Sequence, residues 1–364
     1  MEKVVRFAIV TTVMPKKQGA NGVRRPSYGF RMMVSEAQRL GVQAYLVHPD
    51  QFDWKAKRMT GWTGSDIGTD KEKWFKQTVP LPDVVYDNVF VHLVVQGKTA
   101  KVRKMCKTFH IPLFNPICPG KFSVNHIMIN TDAKQYIPKT KILRQGNDAI
   151  EMLHRFKTVY VKPSGGYGGQ GVTRIEKLST EGYRVKMDRN GGKVIDFHKM
   201  MSEKELLAWL NKKKYIPHVV QQGISLIQVD GGNVDFRVVV QRGKQGKWEL
   251  IGIVPKIAKK GGVVTNLVAG GRKSTLHWLI DWSNRHGQPL SVHLLEHAAV
   301  EIANVWSKRL PTLGILGFDM GLDTHGNVWM IEMNPKPARS LLTSEMRKKS
   351  FRAVAEFAQY LGSK

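Results

Sequence analysis

Cysteine is scarce: Cys106 and Cys118 are the two in 364 residues. They form no C-x-x-C pair and no Cys/His zinc spacing, which speaks against a disulfide framework or a structural zinc and fits a reducing cytosol. Acidic residues are also few, with 29 Asp+Glu against 57 Lys+Arg and a formal charge of +28. Such a field draws polyanions, so nucleic acid, anionic wall or coat polymers and acidic peptides are candidate partners. The basic residues are scattered (Lys16-Lys17, Arg24-Arg25, Lys212-Lys213-Lys214, Lys259-Lys260, Arg347-Lys348-Lys349) rather than gathered in one tail. No nucleic-acid module signature accompanies them, so most read as solvated faces. No apolar run reaches the roughly 18 residues of a membrane span. The opening Val4-Val5-Arg6-Phe7-Ala8-Ile9-Val10 has the outline of a signal peptide. Arg6 interrupts it and no clear cleavage site follows, so a first buried strand fits better. Internal repeats and low-complexity segments are absent, and the length suits two or three domains.

What is present is concentrated near the end. Gly317-Phe318-Asp319-Met320 leads through the turn Asp323-Thr324-His325-Gly326-Asn327 into Val328-Trp329-Met330-Ile331-Glu332-Met333-Asn334-Pro335. Two strands joined this way lie side by side. Glu332 and Asn334 project from one face, and Asp319 can sit opposite them. Three hard oxygen donors on one face make a Mg²⁺ site that also takes phosphates. A hairpin with solvated acids is the plainer reading, but acids inside apolar runs are costly if unpaired.

The matching half lies upstream. Thr158-Val159-Tyr160-Val161-Lys162-Pro163 reads as a strand ending in lysine, followed by Ser164-Gly165-Gly166-Tyr167-Gly168-Gly169-Gln170-Gly171 and the strand-like Val172-Thr173-Arg174-Ile175. Glycines let backbone N–H groups close on anionic oxygens. The stretch satisfies G-x-G-x-x-G, yet a dinucleotide fingerprint needs a helix after the loop. Strand, glycine loop and strand together read as a flap over nucleotide phosphates, against the alternative of a flexible hairpin tip.

Elsewhere the pattern predicts strands at 4–10, 42–47 and 84–87 and a helix over 27–40 closed by Gly41, a βαβ start that favours a parallel sheet. The loop 14–25 lies where open α/β sheets place ligands, though an ordinary surface loop fits as well. Residues 50–80 look irregular. A basic helix over 98–109 and a proline-punctuated passage at 112–119 bring the first boundary. A helix is expected over 121–128 and an extended connector over 136–140. Ser202-Glu203-Lys204-Glu205 is a capping box opening a helix that buries Leu206, Leu207 and Leu210. Strands follow at 219–223, 234–241 and 248–254. A helix over 293–309 has Leu294, Ala298, Ile302 and Val305 on one face, and a basic helical tail spans 344–360.

Taken in order, Gly120-Lys121, Val161-Lys162-Pro163, Gly165 to Gly171, Gln221-Gln222, Asp235-Phe236-Arg237, Asn266 with Gly270-Gly271, Asp319 and Glu332-Met333-Asn334-Pro335 resemble the ATP-grasp superfamily. The whole chain is similar to its YheC/YheD family of endospore-coat-associated proteins. The resemblance implies an α/β (α+β ATP-grasp) fold, divided as an N-terminal parallel-sheet domain at 1–118, a central lobe at 119–218 and a C-terminal lobe at 219–364, the two lobes clasping ATP. It implies a ligase that joins a carboxylate to an amine through an acylphosphate. By position, Lys121 and Lys162 would hold the α/β-phosphates, and Gly165, Gly166, Gly168, Gly169 and Gly171 would close over the β/γ-phosphates. Asp319, Glu332 and Asn334 would bind Mg²⁺, with Mn²⁺ as the alternative ion. Arg237 would stabilise the transferring phosphoryl group, a task suited to its planar fork. Lys256 and Asn266 would line the nucleotide and acceptor side, and Gln221-Gln222 would meet the adenine edge.

Some residues keep a plainer reading. Without the resemblance Lys121 is a surface lysine at a helix start, and Asp235-Phe236-Arg237 fits a structural ion pair with Arg237 outward. Gln222 stands where many relatives carry glutamate, and Asp230 is a weak candidate for the ribose. The basic Pro335-Lys336-Pro337-Ala338-Arg339 suits an acidic acceptor. Two other functions compete: a polyanion- or coat-binding protein that keeps the fold with little catalysis, and a kinase-like phosphotransferase. The latter lacks His-Arg-Asp and has its lysine before the glycine loop rather than after it. The expected location is the cytoplasm, with coat association implied by the resemblance alone; the oligomeric state is open.

Overall fold

The apolar start folds as β1 (Arg6–Val10), followed by α1 (Tyr28–Arg39), with Gly41 at φ +72° just past the helix end. β2 (Gln43–Val47) returns parallel to β1, Phe7 opposite Ala44 and Ile9 opposite Leu46. The chain is described here from a computed structural model covering residues 4–18, 23–115, 117–165, 169–178, 182–190, 193–213 and 217–364. The stretch expected to be irregular is instead largely a hairpin, β3 (Arg58–Ser65) against β4 (Lys73–Pro80). Its alternation is disguised by Gly61, which is packed so closely that a Cβ would fall 2.8 Å from Tyr45 Cβ. β5 (Val84–Asp87) lies parallel to β1 on its other side, α2 (Ala100–Thr108) follows, and β6 (Leu113–Phe114) is parallel to β5. The order is β3–β2–β1–β5–β6, with β4 attached to β3.

The next part opens with α3 (Lys121–Met128), β7 (Thr140–Ile142) and α4 (Gly146–Phe156). β8 (Thr158–Pro163), β9 (Thr173–Lys177), β10 (Tyr183–Asn190), β11 (Lys193–Met201), α5 (Glu203–Lys213) and β12 (His218–Gln222) complete it. The sheet runs β7–β12–β8–β9–β10–β11, antiparallel throughout. α4 and α5 cover one face, where Leu153, Leu206 and Leu210 pack on Val159, Val161, Ile175 and Val220. The capping box forms: Glu205 N–H donates to Ser202 Oγ at 3.3 Å, and Ser202 N–H donates to Glu205 Oε2 at 2.8 Å. Leu206 and Leu210 are buried; Leu207 is partly buried at the edge of that core.

The last sheet is antiparallel in the order β14–β13–β15–β16, from β13 (Gly232–Arg242), β14 (Trp248–Ile257), β15 (Ile315–Leu322) and β16 (Val328–Asn334). Between β14 and β15 come α6 (Leu276–His286) and α7 (Val292–Arg309). The buried stripe of α7 is Leu295, Ala298, Ala299, Ile302, Ala303 and Trp306, while Leu294 is 45% exposed. The expected face was thus turned by about one residue: Leu294 looked like an anchor because of its size, but small alanines let α7 lie close to β13. The basic tail is helical as expected, forming α8 (Ser344–Gly362). Its Phe351, Val354 and Phe357 share a core with Val5, Phe7, Ile9 and Phe114, so the end of the chain closes on its beginning. No helix among the described residues is long and apolar enough to cross a membrane.

Candidate active site

Strand register builds the charged row. Asp235 on β13 is opposite Lys256 on β14, and Arg237, two residues on, is opposite Asp319 on β15. Asp319 is in turn opposite Glu332 on β16, and Asn334 is two residues beyond. Because side chains two apart share a face, one face of four strands carries Lys256, Asp235, Arg237, Asp319, Glu332 and Asn334. They line one cavity together with Lys162, Gly165, Gly169, Gln221, Gln222 and Asn266 from other elements. A second cleft, around Gly223, shares Tyr160, Ile224, Leu226 and Asn233 with it but holds none of these charges.

Arg237 grips Asp319 with both ends of its fork, Nε–Oδ1 at 2.7 Å and Nη2–Oδ2 at 3.2 Å, the strong planar geometry of a guanidinium–carboxylate pair. It points into the site, not outward. Lys256, only 4% exposed, reaches both Asp235 Oδ1 and Asp319 Oδ1 at 3.0 Å. Thr265 Oγ1 donates to the other Asp235 oxygen. Burial pushes the Asp319 carboxyl up, but Lys256 and Arg237 outweigh it and hold it down to about 2. For Asp235 burial prevails over Lys256, and its pKa is raised. Burial disfavours the charge on Lys256 and Arg237, yet the facing carboxylates overcome it and both pKa values are raised. The site therefore keeps a buried lysine, a partly buried arginine and an ionised Asp319 at neutral pH.

On the central side, Lys162 donates to Gln221 Oε1, and Gln221 Nε2 donates to Thr140 Oγ1 at 3.3 Å. The Gln221 amide is thus spent on its neighbours rather than held out for an adenine edge. Gln222 Oε1 accepts from Lys139 N–H at 3.2 Å. Asn266 lines the cavity while its Oδ1 accepts from Val268 N–H at 3.0 Å.

Not every expected residue joins them. Gly171, at φ +69°, does not line the cavity and packs on Pro163, where a Cβ would sit 3.2 Å from Cγ. Gly166 and Gly168 lie outside the described residues. Lys121 is the first residue of α3, and its side chain is likewise outside the described set. Asp230 does not line the cavity: its side chain is 82% exposed and faces Arg272 at 3.6 Å. The basic stretch after β16 is spent on structure. Lys336 Nζ binds Asp87 Oδ1 at 3.0 Å and Val89 O at 2.9 Å, and Arg339 Nε donates to Ser350 Oγ at 2.9 Å. Neither cation is offered to an acceptor.

A family model described as YheC/D like ATP-grasp matches residues 110–361. The chain belongs to that family. Among curated relatives, endospore coat-associated protein YheD of Bacillus subtilis (strain 168) is 27% identical over 350 residues, covering 92% of this chain and 74% of the relative. YheC of the same strain is 23% identical over 305 residues, covering 80% and 81%. Among solved structures, D-cycloserine synthetase DcsG superposes with a TM-score of 0.53 at 12% identity, covering 97% of this chain and 99% of that one. The fold is that of the ATP-grasp ligases, as the sequence resemblance implied.

The ATP-grasp fold implies a divalent ion beside the phosphates. Among the described residues no three His, Cys, Asp or Glu side chains could hold a metal by themselves. An ion would rest on Asp319, Glu332, the Asn334 amide oxygen, water and phosphate oxygens, a hard donor set that fits Mg²⁺. Asn334 Oδ1 already accepts from Lys336 N–H at 2.9 Å, which fixes its orientation and leaves a lone pair. Reasoning from sequence missed Thr265 and Tyr160 in the cavity wall, and gave Asp235 no site role of its own beside Arg237. Thr265 sits in a loop without periodicity, so no signal marked it. For Asp235 the signal was there, two residues before Arg237 in a strand.

Proposed function

We propose that the protein is an ATP- and Mg²⁺-dependent carboxylate–amine ligase that works through an acylphosphate and releases ADP and phosphate. One observation carries this: a lysine and glycine-loop end from the central sheet and the charged row of the last sheet line the same cavity. In this reading Lys162 and Lys121 neutralise the α/β-phosphates, and the glycine loop donates backbone N–H groups to the β/γ-phosphates. Asp319, Glu332 and Asn334 hold the metal, which when bound screens phosphate charge. Arg237 uses its fork on Asp319 and keeps its other donors for the transferring phosphoryl oxygens. Lys256 keeps Asp319 ionised and adds a second permanent cation. The substrate carboxylate attacks the γ-phosphorus as ADP leaves; the amine then attacks the acyl carbon as phosphate leaves. Positioning and charge stabilisation suffice for such a transfer.

The acceptor is acidic or polymeric, a reading supported by the +28 charge and not by Lys336 or Arg339, which are occupied. Association with a spore coat follows from the names of the relatives. The same charge favours a second reading, a polyanion- or coat-binding protein with little turnover. The test is ATP turnover with pooled carboxylates and amines. Mg²⁺-dependent ADP and phosphate are expected, and Glu332→Gln should abolish them with the melting temperature retained. AMP with pyrophosphate would defeat the acylphosphate mechanism. No turnover, with polyanion affinity that falls steeply with salt and ignores ATP, would favour the second reading.

A further inference from the structure

The two lobes meet over the cavity at one carboxylate that the proposed chemistry does not use. The β10–β11 ladder shifts register between Met187 and Arg189, where the single residue Asp188 stands opposite two residues of β11. Asp188 is 4% exposed, and its Oδ2 accepts from Val263 N–H at 2.6 Å and Val264 N–H at 3.0 Å. Lys259 stands 3.9 Å from the other oxygen. β10 belongs to the central sheet, whereas Val263 and Val264 lie on the segment leaving β14 of the last sheet. That segment lines the cavity from Val263 to Asn266. The glycine loop meets it too: a Cβ on Gly169, which has φ +72°, would lie 3.0 Å from Val264 Cγ2. From Thr265 the contacts continue to Asp235, Lys256 and Asp319.

We propose that Asp188 is a positioning residue that clasps the Val263–Val264 backbone across the lobes and so retains nucleotide in the cavity. It acts through the segment it holds and touches no substrate. A carboxylate is suited to this, since one oxygen takes two adjacent N–H groups and the bonds are charge-assisted. Losing it leaves both donors without this partner at a contact between the two lobes. The inference rests on the cavity being the nucleotide site.

The test follows binding and release of N-methylanthraniloyl-ADP with Mg²⁺ by stopped-flow on the full chain, with melting temperatures in parallel. Asp188→Ala should release nucleotide about tenfold faster and bind it about tenfold more weakly, the scale of one lost charge-assisted bond. Asp188→Asn, which keeps an acceptor oxygen in place, should stay within about threefold of wild type. Amide exchange at residues 263–264 should be slow in wild type and Asp188→Asn and fast in Asp188→Ala. If Asp188→Ala does not fold, Asp188→Glu, which displaces the carboxylate by one methylene, should show the same faster release. Unchanged release in the folded variant, with only a lower melting temperature, would reduce Asp188 to a structural residue and overturn the proposal. Wild-type protein that fails to bind the probe would instead remove the nucleotide reading, and the clasp with it.

Discussion

Asp319 answers to two cations, and its protonation is where pH should reach the site. Its folded pKa of about 2 lies below its ordinary value of 3.8. A depressed carboxyl contributes stability that is complete above the ordinary value and is lost as pH falls through the folded one. Asp319→Asn lacks that contribution at every pH. The stability gap between wild type and Asp319→Asn should therefore be constant from pH 5 to 7 and narrow from pH 4 toward pH 2. Thermal melts at matched ionic strength measure it; a gap that widens with acid would mean that Asp319 is not held by Lys256 and Arg237. Asp235, raised by burial, works in the opposite sense, so the comparison is made between variants and not on wild type alone.

Elements divide the glycines around the cavity into two kinds. Gly165 lines the cavity with open space where a Cβ would be, whereas a Cβ on Gly223, just past β12, would lie 2.6 Å from Thr158 Cγ2. Gly223→Ala should cost roughly 1–3 kcal/mol through overpacking, seen in urea unfolding. Gly165→Ala should leave stability unchanged and weaken Mg²⁺–ADP binding if its backbone cradles phosphate; equal affinity would take Gly165 out of the proposed cradle. The same contrast explains what the sequence could tell. β8, α3 and β5 were legible to the residue, because each is a short run with one period and a hard stop. The two acids of the final hairpin announced their pairing, since β-strand spacing puts Glu332 and Asn334 on one face and the turn sets Asp319 against them. The β3–β4 hairpin was not legible, because Gly61 is there for a contact with Tyr45 that is 16 residues away in sequence, and local propensity reads it as loop. Likewise Lys336 and Arg339 read as charges suited to an acidic acceptor because their partners, Asp87 and Ser350, belong to other elements.

At the scale of the molecule, Lys336 joins the end of β16 to the first sheet. Lys336 follows Asn334 by two residues, and its ammonium crosses to Asp87 at the end of β5, where Arg103 from α2 already binds. Asn115 Nδ2 donates to Pro335 O at 3.3 Å, and Gly314 N–H donates to Asn115 Oδ1 at 3.3 Å. Asp87 is 1% exposed and the Lys336 side chain 15%, so Asp87 is a buried carboxylate whose partner is partly buried. Removing one partner of such a pair costs more than the pair itself contributes, because a buried charge is stranded. Lys336→Met keeps most of the aliphatic stem and removes the charge, leaving Asp87 to Arg103 alone; the expected loss is roughly 3 kcal/mol. Asp87→Asn strands Lys336 and should cost a similar amount. If the two act only through each other, the double variant costs much less than the sum, with a coupling of roughly 1 kcal/mol or more. Urea unfolding of the four proteins measures that coupling. Additive losses would mean that β16 and the parallel sheet are held together by apolar packing, through α8, and that Asn334 takes its orientation from its own turn rather than from the first sheet.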